Sequence, residues 1–257
     1  MSSAPRGTAW PTDVRTLAVD IGGSGFKAAV LDPHGEMIGE RVRIDTPYPC
    51  PPEKFIPAVV SLTTSLPQHH RVTVGFPGLV RGGKVRYIVS LSRPAYGAEI
   101  DPALTKQWQD FALEDALTSA FGLPTKVAND ADVQGCAVVE GVGLEFVMTL
   151  GTGVGAALFS DGRLLPHLEL GHAPFRRHGS VEDELGNVAR EQMGNKKWRK
   201  RVAQAVAAYD KYLFFDHIYI GGGNAKHLEA ERLPDNATIV ANTAGITGGV
   251  RIWSMAP

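Results

Sequence analysis

Alternation and periodicity divide the chain into a run of short elements. From Thr16 onward three strand-like stretches, TLAVDI, FKAAVL and MIGERVRI, are separated by GGSG and DPHGE, whose turn residues suit tight reversals. An antiparallel meander is therefore predicted to open the fold. After the proline-rich PYPCPP, Phe55, Val59, Leu62 and Leu66 fall on one helical face, and RVTVGF follows as a strand ending at Pro-Gly. Trp108, Ala112, Ala116 and Ala120 recur every four residues and predict one helix that stops near Gly122 and Pro124. TKVAND reads as a strand running into a helix over ADVQGCAVVEG, and EFVMTLGTGVGAALFSDGRLL as a hairpin bent at glycine. Trp198, Val202, Ala205, Tyr209 and Leu213 form another apolar stripe, followed by the strand HIYI, the loop GGGNAK and a closing α/β unit. No solenoid-period repeat or low-complexity segment interrupts this order.

Composition narrows the classes. The 257 residues, 44% of them hydrophobic, suffice for one large domain or two lobes with their own cores. Cys50 and Cys136 are far apart with no CxxC spacing, which argues against a disulfide scaffold or a cysteine-rich zinc module and predicts a reducing compartment. No apolar run approaches a membrane span, and MSSAPRGTAWPTD has neither an apolar signal core nor an Arg-rich amphipathic face, so a cytoplasmic protein with no membrane partner is expected. A net charge of -1 gives no global attraction to nucleic acid, which is not expected as a partner; a polyanion must be met by a local patch.

Candidate chemistry begins with glycine. DIGGSGFK, from Asp20 to Lys27, is by itself equally a plain hairpin turn or a phosphate loop. In the second reading Gly22 and Gly23 let backbone N–H groups approach an anion, Ser24 and Lys27 add a hydroxyl and a positive charge, and Asp20 holds a hydrated magnesium ion. LGTGVGAAL repeats the design with Gly151, Thr152, Gly153 and Gly155. YIGGGNAKHL places Gly221, Gly222, Gly223 and Asn224 between a strand and an expected helix, where an adenosine or another flat group lies close to the backbone. Each loop is a weak signal, but the set of them is specific.

Together with GFPG at 75–78, ANDAD at 128–132, ELGH at 169–172 and NTAGITGG at 242–249, these loops resemble the phosphate and adenosine segments of the actin-like ATPase superfamily. Within it the chain from residue 16 resembles the ROK family of sugar kinases and repressors. Its short length and lack of a cysteine cluster are most similar to the polyphosphate-dependent glucokinases and glucomannokinases of that family. The resemblance implies a two-lobed α/β fold of actin-like ATPase (ribonuclease H-like) type with the active site in the interlobe cleft. The opening residues 1–15 read as a flexible lead, and the resemblance implies an N-terminal lobe over 16–120, a C-terminal lobe over 121–242 and a C-terminal helix about 243–253 packing back on the first lobe. The implied reaction moves a phosphoryl group from inorganic polyphosphate, ATP or both to the 6-hydroxyl of a hexose, glucose first, with Mg2+ as cofactor and a homodimer as the working state.

The resemblance also assigns residues. Asp130 matches the catalytic base, and the dipole of the helix it opens is expected to keep it ionised; alone, NDAD reads as an N-cap with acidic first-turn residues. Asn129, Glu169, His172 and Glu182 match sugar contacts, with Glu184 the competing match for the last of them, and Gly78 and Ser90 complete the set. Asp132 is left to helix-terminus electrostatics. Ser90 stands where these kinases commonly have Asn, and it lacks the amide's paired donor and acceptor. ELGH leads into APFRRHGSVEDELG with no Cys, so the family's zinc site cannot be built, and a protein group is expected to fix the His172 tautomer instead. Arg176 and Arg177, with Lys196, Lys197, Arg199, Lys200 and Arg201 of NKKWRKR, read either as a solvated face or as a track for polyphosphate. Two other readings stay open: a sugar- or nucleotide-binding protein of this family without catalysis, and a kinase for a different sugar. A repressor is disfavoured, since the residues before Thr16 hold no helix-turn-helix.

Overall fold

In the computed structural model, which describes residues 10–177, 179–240 and 244–255, the predicted meander forms. β1 (Thr16–Ile21), β2 (Gly25–Leu31) and β3 (Met37–Asp45) pair antiparallel. α1 (Pro52–Thr63) begins on proline, whose missing N–H is unpaired in a first turn anyway, and buries Phe55, Val59 and Leu62; Leu66 lies past its end. β4 (Arg71–Phe76) runs parallel to β1, and β5 (Gly78–Arg81) and β6 (Lys84–Ile88) form a small hairpin beyond it.

The single helix expected through Trp108 and Ala120 is two helices, α2 (Pro102–Trp108) and α3 (Leu113–Phe121): Gln109 leaves the helix with a ψ of 124°, and Asp110 follows with a φ of 58°. α3 buries Leu113 and Leu117 rather than the alanines beside them, because leucine removes more apolar surface from water. β7 (Thr125–Asn129) then pairs with β4, so the first sheet, ordered β3-β2-β1-β4-β7, runs past the boundary expected at residue 120. α4 (Asp130–Val138) starts directly from its end.

A second meander, β8 (Leu144–Leu150), β9 (Val154–Ser160) and β10 (Arg163–Leu164), opens the other sheet. The hairpin β11 (Pro174–Phe175) and β12 (Gly179–Ser180) leads to α5 (Val181–Leu185), α6 (Asn187–Met193) and α7 (Asn195–Leu213), which buries Trp198, Val202, Ala205 and Tyr209 of the expected stripe. β13 (His217–Gly221) and β14 (Ala237–Ile239) complete the order β10-β9-β8-β13-β14. After Gly221–Asn224 a single turn, Ala225–His227, stands where a longer helix was expected. The two sheets thus share one plan, a meander whose first strand is flanked by parallel strands. Each has its own core: Phe26, Phe55, Phe76 and Trp108 in the first, and Phe146, Trp198, Tyr209 and Phe215 in the second.

α8 (Ala244–Met255) crosses between them. Gly248 lies so near the Val133 carbonyl of α4 that a Cβ would collide with it, and Gly249 brings the helix against Ala18 of β1 and Thr73 of β4. Thr73 Oγ1 donates to the Gly249 carbonyl at 2.7 Å, and Arg251 donates to the carbonyls of Ala137 and Val139 at 3.2 and 2.9 Å. Trp10, in the lead expected to be flexible, packs edge-on against Trp253 of α8 at 5.5 Å, with Arg71 over both rings, so that end of the lead is held. Residues 1–9 of the lead and 242–243 of NTAGITGG lie outside the described residues. Among the described residues no helix is long and apolar enough to cross a membrane.

Candidate active site

α4 opens where the two sheets meet, and its first turn is built from both sides. Asn129 caps it: Oδ1 accepts from Ala131 N at 2.8 Å, and Nδ2 donates to the Gly78 carbonyl at 3.1 Å. Gly78 has no alternative there, since a Cβ would meet the Tyr87 carbonyl of β6. Asn129 therefore serves the scaffold and keeps one lone pair and one N–H for a ligand. Asp130 follows, accepting from Ala131 N at 2.9 Å. Burial first, and then the charge of Asp20, push its carboxyl up to about 7; Asp132 adds to the rise, while Ala131 N–H and His167 oppose it. The helix dipole was expected to keep Asp130 ionised, but burial outweighs it, and near neutral pH roughly half of the carboxyl carries its proton.

The first glycine loop borders this carboxylate. Asp20 and Lys27 are cross-strand partners with Oδ2 and Nζ 3.3 Å apart, and the turn between them closes with Gly22 N donating to the Gly25 carbonyl at 3.0 Å. Ser24 is exposed at the tip. The Tyr48 hydroxyl lies 2.9 Å from the Gly23 carbonyl and 3.1 Å from that of Ser90, so Ser90 sits against this loop. Its Oγ is buried and, among the described residues, has no hydrogen-bond partner.

The second and third loops are locked together. Gly151 N donates to the Gly153 carbonyl at 3.0 Å, and Asn187 N, at the start of α6, donates to the carbonyls of Gly151 and Thr152 at 3.0 and 3.2 Å. Gly222, at a φ of 87°, presses on Leu150 where only glycine fits. Asn224 is a buried strut more than a nucleotide contact: its N–H donates to the Leu150 carbonyl at 2.9 Å, Nδ2 to the Gly151 carbonyl at 3.0 Å, and Oδ1 accepts from Arg190 Nε at 3.1 Å. Gly221 is buried beneath it and Gly223 is exposed. Arg190 escaped the sequence reading.

Of the competing carboxylates on α5, Glu184 is bonded to Arg201, while Glu182 reaches the second loop, with Val154 N donating to Oε2 at 3.5 Å. Glu169 and Glu182 both face Tyr87, whose hydroxyl is held high by burial and then by these two charges. The exposed His172 ring meets Tyr87 edge-on at 5.7 Å. Among the described residues neither of its nitrogens has a hydrogen-bond partner, so the group expected to fix its tautomer is not found there. Behind Glu169 lies a residue that sequence reasoning missed. His167 is buried, with Nδ1 donating to Asp132 Oδ1 at 2.9 Å and Nε2 3.7 Å from Glu169 Oε1. Asp132 is thus the buried partner of an imidazole, beyond its place in the first turn of α4. The signal was HLELGH itself, a histidine two residues before the assigned carboxylate.

NKKWRKR does not form a uniform patch. Arg199 is bonded to Glu229 and the His227 carbonyl, and Arg201 to Glu184, so both are braces. Lys196, Lys197 and Lys200 are exposed around a cavity of about 620 Å³ with Arg232, and Arg176 and Arg177 line a second of about 340 Å³ with His172 and Asp183. Arg176 Nη1 donates to Gln204 Oε1 at 3.3 Å, one helical turn along α7 from Lys200. His227 is held low by its partial burial and then by Arg190, Lys226 and Arg199, which marks a positive field beside the third loop. Among the described residues no group of three His, Cys, Asp or Glu side chains is placed to hold a metal ion.

Residues 16–183 match the model of the ROK family. A polyphosphate glucokinase of Mycobacterium tuberculosis (strain CDC 1551 / Oshkosh) is 27% identical over 247 residues, covering 90% of this chain and 88% of its own. The crystal structure of an inorganic polyphosphate/ATP-glucomannokinase from Arthrobacter sp. strain KM superposes with a TM-score of 0.76 at 29% identity, over 93% of this chain and 97% of that one. A ROK family glucokinase from Streptomyces griseus, in complex with glucose and AMPPNP, has the same fold, with a TM-score of 0.71 at 17% identity over 93% and 98% of the two chains.

Proposed function

The chain belongs to the ROK family, and from that premise we propose that it transfers a phosphoryl group from inorganic polyphosphate, ATP or both to the 6-hydroxyl of a hexose, with glucose as the first candidate. One observation carries the reading: a carboxylate at a helix start, tuned to about 7, lies beside the charged residue of one glycine loop and on the helix whose next carboxylate leads through His167 to Glu169. A base so tuned takes a proton near neutral pH without being permanently ionised.

Asp130 accepts the proton of the 6-hydroxyl as that oxygen attacks the terminal phosphorus, and the bond to the rest of the donor breaks with its electron pair leaving on the shortened polyphosphate or ADP. Glu169, His172 and Glu182 hold the neighbouring sugar hydroxyls, Asn129 adds its spare lone pair and N–H, and Ser90 offers a buried Oγ without a partner. The backbone N–H groups of the first two loops, with Ser24, Thr152 and Lys27, receive the donor phosphates. Asp20 fits magnesium: with Oδ2 on Lys27, Oδ1 is available, and one carboxylate oxygen with waters and phosphate oxygens is a donor set that ion accepts. When bound there it neutralises charge on the donor. Gly221–Gly223 and Asn224 frame the nucleotide end, and the positive field around His227 suits a nucleotide phosphate or a longer phosphate chain. Within the basic segment, Lys196, Lys197 and Lys200 are the polyphosphate contacts, continued by Arg176 and Arg177 of the β11–β12 turn, where Arg176 meets Gln204 of α7. A cytoplasmic homodimer is the proposed working state.

Purified protein with magnesium, a panel of hexoses and either ATP or polyphosphate tests this. Hexose 6-phosphate is expected from at least one pair. Asp130→Asn is expected to lower turnover about 10³-fold, with hexose Kd changed less than about threefold. Hexose binding with no phosphate transfer from either donor would instead favour a binding protein without catalysis.

A further inference from the structure

His167 has one satisfied end and one open one. Its Nδ1 is bonded to Asp132, itself buried, while Nε2 is buried and has no partner among the described residues. Glu169 Oε1 lies 3.7 Å from that nitrogen, a small side-chain rotation short of a charge-assisted hydrogen bond. An unmet donor in a buried place carries a penalty that closing this gap removes. On the other face Arg81 Nη2, from the β5–β6 hairpin of the first lobe, donates to the His167 carbonyl at 2.8 Å and fixes the backbone from which the ring projects.

Resting on the hexose-site reading above, we propose that His167 is a positioning residue: anchored on Asp132 through Nδ1, it holds Glu169 through Nε2 in the orientation in which a sugar hydroxyl donates to that carboxylate. Burial by itself drives the imidazole toward neutrality, but the carboxylates of Asp132 and Glu169 outweigh it and raise the ring to about 9, so both nitrogens carry hydrogen. Glu169 responds in kind: burial pushes it up, and His167 and then His172 bring it below the ordinary carboxylate range, leaving it an acceptor. The remaining charged groups around the ring are Asp130 on α4, with Asp20 of β1 beyond it, and Arg81 on its carbonyl. A histidine that only filled space would meet apolar groups at its free nitrogen; this one faces a carboxylate assigned to the substrate. The chain Asp132–His167–Glu169 thereby joins the helix that carries the base to a carboxylate that holds the acceptor.

Two substitutions divide the ring's functions. In His167→Asn the amide nitrogen replaces Nδ1 and keeps Asp132; in His167→Gln it replaces Nε2 and keeps Glu169. Hexose Kd without donor, and kcat and KM with it, are measured for both. His167→Asn is expected to weaken hexose binding about tenfold while kcat moves less than about threefold, and His167→Gln to restore most of the affinity. Wild-type affinity in both variants, or no advantage of Gln over Asn, overturns the proposal. If either variant fails to fold, the ring nitrogens are observed by ¹⁵N NMR in the wild type at about pH 8, where both are expected to be protonated and Nε2 to shift when hexose is added. A neutral ring, or one that does not respond to hexose, overturns the proposal just as well. A wild-type protein that neither binds nor phosphorylates any hexose refutes the underlying site reading, which is a separate outcome.

Discussion

The two sheets share a strand order and place a tight turn at the same point, between β1 and β2 and between β8 and β9, yet the turns carry different things. At the next-to-last residue of β1, Asp20 faces Lys27 in an ion pair; at the same place on β8, Thr149 faces Gly155. A Cβ on Gly155 would run into Thr149 and into Ala131 of α4. The first turn brings charge to the base, and the second brings closeness, letting the helix that carries Asp130 rest against β9. One plan used twice thus divides the work of a phosphoryl-transfer cleft into electrostatics on one side and backbone approach on the other.

That division is open to attack, and the largest effect belongs to the charged turn. Asp20→Asn is expected to reduce turnover about 10²-fold and to weaken its dependence on magnesium, while Thr149→Val at the matching place changes turnover less than about threefold. Equal losses in steady-state assays at varied magnesium would erase the distinction. The second turn should be the more sensitive in stability. Gly155→Ala is expected to cost about 2 kcal/mol in urea unfolding, whereas Gly22→Ala, whose Cβ would meet only the Gly25 carbonyl at 3.1 Å, costs less. The smallest effect lies outside both turns. Replacing Lys197 and Lys200 by Gln is expected to raise the polyphosphate KM about threefold and to flatten its salt dependence by a slope of about 1 to 2, with the KM for ATP unmoved.

Much of this was legible in the sequence because it is written locally. Strand alternation, the turn residues and the glycine loops each occupy a handful of neighbouring positions, and the strands of both meanders lie where the pattern puts them. What sequence reading missed depends on partners far along the chain. Nothing near Trp108 announces that Gln109 turns extended and Asp110 takes a positive φ, which together split one expected helix into two. The acidic partners of Arg199 and Arg201 are Glu229 and Glu184, so a run of five cations looked freer than it is. Asp132 and His167 are 35 positions apart, and only the fold brings them to 2.9 Å. Asp130 was placed at a helix start correctly, but its protonation was misjudged, because a helix start and the dipole that comes with it can be read from neighbouring residues, whereas burial exists only in the assembled cleft.

The central claim is that Asp130 is a base set by burial and by the charge of the neighbouring turn. Its raised carboxyl is protonated below about 7, so activity must fall as pH drops through that value and level off above it. The direct measurement is kcat/KM against pH for wild type and Asp20→Asn, with hexose and donor both far below saturation so that the free enzyme is reported. An inflection near pH 7 in the wild type, moved to lower pH when the Asp20 charge is removed, is the predicted result. An inflection in the ordinary carboxylate range of about 4, or one that Asp20→Asn leaves in place, contradicts the account.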